Sequence, residues 1–356
     1  MREWSRFFVT ALLPLLGGCA NFGYYLQSVG GQLDIWRRER PIEEVIGDAA
    51  APAPLRQKLA RLLEIREFAS RELGLPDNRG FRRYADLERP FVAWNVFAAP
   101  EFSVRPVQWC FLFAGCVSYR GYFARSDADG YAAELAGQGH DVYVDGVPAY
   151  STLGWFADPV LNTFIHYPEA ELARLVFHEL SHQLVYVRDD TAFNESFAVA
   201  VEQEGVRRWL KRAGDAPGRE AYERNRRIRT EFVHLVEKYR GRLDALYRTR
   251  LAPEAMRGRK REILDELHAE YRTLRKGWDG YAGYDRWFAA RPNNAQLASV
   301  AIYTQAVPAF EALLRREGGD LPRFYESVKA LAVLPKEERD ERLHALAPRA
   351  ISDGDR

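Results

Sequence analysis

The spacing of apolar residues changes twice along the chain. Apolar residues recur at helical intervals in residues 26–46 and again in residues 55–73, which predicts two helices. Residues 80–156 contain short β-branched and aromatic runs between Gly, Pro and Asp, which predicts a small sheet. From Pro168 onward the helical spacing returns. Two stripes predict an antiparallel helix pair: Phe232, Leu235, Val236, Tyr239, Leu243 and Leu246 on one helix, and Ile263, Leu264, Leu267, Tyr271 and Leu274 on the other.

This order of elements predicts an α+β fold, with a small mixed or antiparallel sheet followed by a predominantly helical half. The expected divisions are a signal peptide at 1–18, an N-terminal tether with helices at 19–80, a β-rich lobe at 81–160 and a helical lobe at 161–350. A chain of 356 residues with 47% hydrophobic content can bury a large core. Its 51 basic and 50 acidic residues nearly cancel, so nucleic acid is not an expected partner.

The N-terminal segment has the pattern of a signal peptide. Arg2 and Arg6 precede the run FFVTALLPLLGG, which is too short to span a bilayer as a stable helix. The run ends at Cys19, and the stretch Leu-Gly-Gly-Cys resembles the lipobox of bacterial lipoproteins. This resemblance implies a lipid anchor at Cys19, and the residue Ala20 after it implies the outer membrane rather than the inner one. An ordinary signal peptide with an incidental cysteine is the alternative.

The other two cysteines are close together in the predicted β-rich lobe. Cys110 and Cys116 flank a stretch in which Ala114 and Gly115 are suited to a turn. An oxidising compartment such as the periplasm would permit a disulfide between them. Two buried free thiols are the alternative, because cysteine is also among the most buried residue types.

The segment VFHELSHQLVYVRDDTAFNESFAVAVE, residues 176–202, carries the chemistry. His178 and His182 are four residues apart, so on a helix they share one face with their Cβ atoms about 5–6 Å apart. Glu179 lies about 100° round the helix from His178, where it can border a metal ion without ligating it. The spacing therefore predicts two zinc ligands and a general base.

Glu195 is the candidate for a third zinc ligand. If one helix ends near Tyr186 and the next begins near Thr191, a short connection makes the two helices antiparallel neighbours. His182 and Glu195 then lie at the same level along the two helix axes and face each other. Three protein ligands leave a position for water on a catalytic zinc ion, whereas a structural zinc normally has four.

These residues also resemble a known clan of enzymes. Asn194 to Ala198 match the Asn-Glu-x-x-Ala helix of gluzincin metallopeptidases. The chain is similar to the bacterial lipoprotein-type zinc aminopeptidases through YYLQSVGGQLDIWRRERPI, CVSYRGYF, AYSTLGWFADPVL and NNAQLASVAIYTQAVPAFEALL. The resemblance implies a zincin-like fold, one zinc ion and peptide or polypeptide substrates in the cell envelope.

The resemblance also implies metal-assisted hydrolysis, in which zinc activates a water and Glu179 accepts its proton. Tyr303 is a candidate donor to the oxyanion, with an ordinary core position as the alternative. Residues 149–155 are a candidate edge strand for the substrate, or else an ordinary structural strand. Two other functions stay open: an endopeptidase with the same site, and a non-catalytic lipid-anchored scaffold.

Overall fold

The computed structural model describes residues 23–111, 115–149, 152 and 156–346, and for residues 303 and 304 the backbone alone. The predicted signal peptide and Cys19 lie outside the described residues. So do residues 150, 151 and 153–155, which make up most of the candidate edge strand.

The N-terminal part is helical and is interrupted once. Helix α1 covers residues 23–38, and β1 (Arg40–Pro41), α2 (Ile42–Gly47) and α3 (Ala53–Leu73) follow. The single helix predicted over 26–46 is wrong, because the chain becomes extended at Pro41, whose ring and missing N–H cannot continue a helix.

The strands of the described residues form three small sheets. One is mixed, in the order β1-β2-β8, one is antiparallel, in the order β6-β3-β7, and β4 pairs with β5 alone. The strands after β1 are β2 (Arg83–Ala85), β3 (Ala93–Pro100), β4 (Trp109–Phe111), β5 (Gly115–Val117), β6 (Arg120–Tyr122), β7 (His140–Val147) and β8 (Val160–Leu161). Within the described residues β7 pairs with β3 alone, which makes it an edge strand of the antiparallel sheet.

Helix α4 (Arg125–Gly137) lies inside the stretch that was predicted to be β-rich. Its fully or nearly buried positions are few, Ala128 and Leu135, so the sequence lacks a strong apolar stripe there. The helix packs on β3 and β7 and covers one side of the antiparallel sheet.

The second half is almost entirely helical, as the sequence predicts. Its helices are α5 (Glu169–Ser181), α6 (Thr191–Ala213), α7 (Ala216–Tyr247), α8 (Pro253–Leu274), a 3₁₀ turn (Arg275–Gly277), α9 (Asn294–Thr304), α10 (Val307–Arg316), α11 (Leu321–Ala332) and α12 (Lys336–Leu346). Helices α7 and α8 pack together through the two predicted stripes, which join one apolar cluster. The segment Asn294–Arg316 is long and apolar enough to cross a membrane. However, 62% of its most apolar 18-residue stretch is buried inside the protein, as is typical of a core helix.

Helices α5 and α6 are central to the molecule. They pack against each other, and their apolar faces join the largest core cluster together with residues of α3, α10 and α11. Phe177 and Phe197 are fully buried in that cluster. The two helices that carry the predicted zinc ligands are thus held rigidly by the core.

Candidate metal centre and catalytic cleft

The first helix of the site is α5, which begins after Pro168. Glu169 and Glu171 lie in its first turn, where acidic side chains interact favourably with the helix dipole. Leu175, Val176 and Leu180 are buried and fix the rotation of the helix, so that His178 and Glu179 border the cleft.

Helix α5 ends earlier than the sequence suggested. The predicted end near Tyr186 is wrong, since the last helical residue is Ser181 and His182 is the capping position. The Ser181 hydroxyl donates to the carbonyl of His178 at 2.6 Å, and this bond competes with continuation of the helix. The connection to α6 is therefore about twice as long as expected, yet His182 keeps helical backbone angles and stays beside His178.

The connection between the helices is ordered by two polar side chains. Asp190 caps α6 by accepting from the backbone N–H of Phe193 at 3.2 Å, and Arg339 donates to the same carboxylate group at 2.6 Å. Asn194 bridges to Val187 twice, since its side chain accepts from the Val187 N–H at 2.7 Å and donates to the Val187 carbonyl at 2.8 Å. These bonds set where α6 begins.

Because α6 begins at Thr191, its second turn brings Glu195 opposite the two histidines. The Nε2 atoms of His178 and His182 are 3.3 Å apart. Oε2 of Glu195 lies 3.2 Å from the first of these nitrogens and 3.8 Å from the second. A tetrahedral zinc ion with bonds of about 2.0–2.2 Å would hold its ligand atoms about 3.3–3.6 Å apart. All three separations lie within about 0.2 Å of this range, so the donor atoms are placed to hold one zinc-sized ion.

A second carboxylate fixes the orientation of His178. Its Nδ1–H donates to Oε2 of Glu202 at 2.8 Å, so its Nε2 faces His182 and Glu195. Glu202 is fully buried. Arg174 and Arg229 donate to its two oxygens at 3.1 and 3.3 Å, which keeps it ionised in the interior.

The protonation of this cluster follows from burial and neighbouring charge. Burial lowers the pKa of His178, but the carboxylates of Glu195 and Glu202 outweigh it and raise that pKa to about 10. Burial lowers the pKa of His182 to about 4, which keeps this ring neutral. Burial opposes the ionisation of Glu202, yet Arg174 and His178 bring its pKa down to about 2.

Glu179 lies on the wall between two cavities. One, of about 480 Å³, is bordered by His182, Glu195 and several aromatic side chains; the other, of about 460 Å³, lies toward β7, α7 and α9. Both cavities are bordered by His178 and Glu179. Burial raises the pKa of Glu179 to about 7. The predicted base therefore faces the space into which a substrate would enter.

Four tyrosines of the described residues line the first cavity, and none of them was predicted from the sequence as a site residue: Tyr24, Tyr25, Tyr119 and Tyr186. Tyr119 follows β5, and Tyr186 lies in the connection between α5 and α6. Burial raises the pKa of Tyr119, and the nearby Glu195 and Glu179 carboxylates add to this effect. The only signal for Tyr119 in the sequence was the CVSYRGYF segment. Tyr303 lies on α9, but its side chain is outside the described part of the structure.

The predicted cysteine pair lies beside this cavity. Cys110 and Cys116 face each other across β4 and β5 and are joined by a disulfide. Phe111 and Val117, their neighbours in the two strands, line the cavity. Asp189 lies in the connection between α5 and α6 and accepts from the Cys116 N–H at 2.6 Å, so it links the β4–β5 pair to that connection.

A family model described as "Putative aminopeptidase" matches residues 23–343, which is most of the chain. The chain belongs to this family. Searches among curated proteins and among solved structures returned no match. The family name indicates a peptidase, and the cluster of His178, His182 and Glu195 is able to hold a metal ion.

Proposed function

We propose that this family member is a zinc-dependent aminopeptidase of zincin-like, gluzincin type that acts in the bacterial cell envelope. The separation of the three donor atoms, 3.2, 3.3 and 3.8 Å, carries the proposal, because these values lie within about 0.2 Å of those expected for tetrahedral zinc. His178, His182 and Glu195 would hold one zinc ion. When bound there, zinc would polarise the scissile carbonyl and acidify the attacking water.

Glu179 supplies the proton transfers of the reaction. It follows His178 directly and borders both cavities, so its carboxylate reaches the space where water and substrate meet. It accepts the proton of the attacking water and delivers it to the leaving amine. Of the tyrosines in the described wall of the first cavity, Tyr119 and Tyr186 are the two whose pKa is raised by burial and by the nearby charge of Glu195, so we assign them, in addition to the earlier candidate Tyr303, to stabilise the developing negative charge.

An aminopeptidase also needs a carboxylate for the α-ammonium group of its substrate. Of the carboxylates in the described walls of the two cavities, Glu179 is the base, Glu195 a ligand and Glu202 the partner of His178. Asp145 is left, at the second cavity on the edge strand β7, and no salt bridge engages it within the described part of the chain. We assign the binding of the substrate ammonium to Asp145.

One observation favours an endopeptidase as the second candidate. The two cavities adjoin on either side of Glu179 and share Asn95, Val147 and Ala149, so the described residues leave room for substrate in both directions. Cleavage of free and N-acetylated forms of one peptide separates the two functions. An exopeptidase cuts only the free form, whereas an endopeptidase cuts both.

The deciding experiment compares the zinc-loaded wild type with Glu179→Gln. We expect the variant to keep its fold and its zinc content, while turnover of a peptide falls by about 10² to 10⁴. Glu204→Gln, on α6 and bound to Arg207 and Arg208, is the matched control and should retain activity. Peptide hydrolysis by Glu179→Gln at the wild-type rate, or none by the zinc-loaded wild type, would leave the non-catalytic scaffold as the better proposal.

The proposed location is the periplasmic face of the outer membrane, through a lipid anchor at Cys19. The signal-like residues 1–18 and the lipobox-like stretch support it. The disulfide between Cys110 and Cys116 agrees with an oxidising compartment. Cys19→Ser should abolish incorporation of labelled palmitate, and equal labelling of wild type and variant would contradict the anchor.

A further inference from the structure

Helix α1 is attached to the molecule by one of its faces. On this face Gln27 accepts from the Phe123 N–H at 3.0 Å, and Gly31 packs so closely on the Phe123 ring that a Cβ would lie 2.1 Å from it. Ile35, one turn further, is fully buried in the main core. These contacts fix the rotation of the helix.

The opposite face of α1 exposes large apolar side chains. At 100° per residue they fall within an arc of about 100°. They are Tyr25 (40% exposed), Leu26 (56%), Val29 (58%), Leu33 (39%) and Trp36 (39%). We call them the outer stripe of α1.

The outer stripe is a continuous patch, not a set of scattered residues. The described chain has nine exposed large hydrophobic side chains, and five of them belong to this helix. A sixth, Phe156, is 49% exposed and packs edge-on against Trp36 with ring centroids 4.9 Å apart. A patch of this kind on a soluble protein marks an interaction surface.

The position of α1 in the chain indicates what covers the stripe. The proposed acylated Cys19 precedes Gly23, the first described residue of α1, by four positions. Fully extended, four residues span at most about 14 Å. A lipid on Cys19 would therefore hold the start of α1 at the surface of the bilayer.

The composition of the outer stripe suits that surface. Tyr25 and Trp36 lie near its two ends, and these side chains prefer the membrane–water interface. Arg37 is exposed directly beside Trp36, where it can meet anionic headgroups. A helix of about 16 residues is about 24 Å long, and with one apolar stripe it can lie in the interface plane.

We propose that the outer stripe of α1 is a membrane-docking surface that inserts into the headgroup–acyl boundary of the bilayer to which Cys19 is anchored. The proposal rests on the proposed lipid anchor and is independent of the peptidase reaction. A lipid anchor alone leaves a protein free to rotate, whereas a second contact along a helix fixes its orientation.

Docking through α1 would also orient the catalytic cleft. Tyr24, Tyr25 and Ser28 of the same helix line the cavity that contains His182 and Glu195. The first cavity would then lie close to the bilayer surface. Substrates would include polypeptide segments held at that surface.

The test uses the full-length chain, purified from bacterial membranes and reconstituted into vesicles of phosphatidylethanolamine and phosphatidylglycerol. Leu33→Cys introduces one thiol for an environment-sensitive fluorophore, because Cys110 and Cys116 are paired and an acylated Cys19 has no free thiol. We expect the emission to shift to the blue in vesicles and to be quenched by nitroxide-labelled lipids. Val333→Cys, 83% exposed in the wild type, is the control and should do neither.

Three results would overturn the proposal. The first is an unshifted Leu33→Cys label in protein whose intact mass shows the lipid on Cys19. The second is a blue shift in detergent that grows with protein concentration, which would identify a second copy of the chain as the partner. The third is an intact mass without lipid at Cys19, because the lipid is the reason for choosing a membrane as the partner of the outer stripe. Peptide hydrolysis by the same preparation reports separately on the proposed function.

Discussion

From the hydrogen bond that His178 donates to Glu202, we predict how much the affinity for zinc depends on Glu202. Glu202 is fully buried and accepts from His178 Nδ1 at 2.8 Å. Carboxylates that orient a metal-binding histidine typically contribute 10- to 100-fold to metal affinity, or about 1.4–2.8 kcal/mol. A hydrogen bond to a charged group contributes about 1.5–3 kcal/mol, which is the same range.

Glu202→Gln is the informative change. The amide oxygen can still accept from His178, while the amide nitrogen replaces the oxygen nearest the partly exposed Arg229. The buried negative charge is lost, so we expect zinc to bind about tenfold more weakly. Glu202→Ala would be less informative, because it leaves Arg174 without this buried partner and should cost about 3–5 kcal/mol of folding free energy.

Zinc affinity is measured by competition with a fluorescent chelator, on protein shown by circular dichroism to be folded. Glu204→Gln is the matched control, since Glu204 lies on the same helix and binds two arginines away from His178. It should bind zinc like the wild type. Unchanged affinity in Glu202→Gln would refute the positioning role. Complete loss of zinc from Glu202→Gln, with zinc retained in Glu195→Ala, would show that Glu202 is the ligand.

Three further predictions concern the ligands, the disulfide and the substrate ammonium. His182→Ala and Glu195→Ala should each lose zinc, measured by elemental analysis, because two donors remain. Reducing the Cys110–Cys116 disulfide should lower the free energy of unfolding by about 2 kcal/mol in denaturant titrations, and two free thiols in unreduced protein would contradict the pairing. Asp145→Asn should lower kcat/KM for peptides with a free N-terminus by about 10- to 100-fold, and unchanged kinetics would remove its assignment.

The helical half was predictable because its apolar residues repeat at a fixed interval. The stripes of α7 and α8 are buried against each other, and their sequence spacing alone predicts this. Local hydrogen bonds are harder to predict. Ser181 ends α5 with a bond to the His178 carbonyl, and the pattern of apolar residues carries no information about that bond.

The walls of the cleft were the least predictable part. Tyr24, Tyr119 and Asp145 come from a helix, a connection and an edge strand that are far apart in the sequence. Each is an ordinary residue in its own segment, and only the packing of those segments on α5 and α6 brings them to one space. The predicted zinc ligands differ in this respect, because all three come from residues 178–195.

The two carboxylates of α6 show where spacing stops being sufficient. Glu195 and Glu202 are seven residues apart, which is two helical turns, so both project from nearly the same face toward α5. From the sequence spacing alone, either glutamate could be the third zinc ligand. The structure distinguishes them by their positions along the axis of α6, since Glu195 contacts Nε2 of His178 and Glu202 accepts from Nδ1 of the same ring. One imidazole thus lies between both carboxylates, and its two nitrogens separate the role of metal ligand from the role of support. Exchanging these roles would require α6 to move along its axis by about 10 Å, the length of two turns.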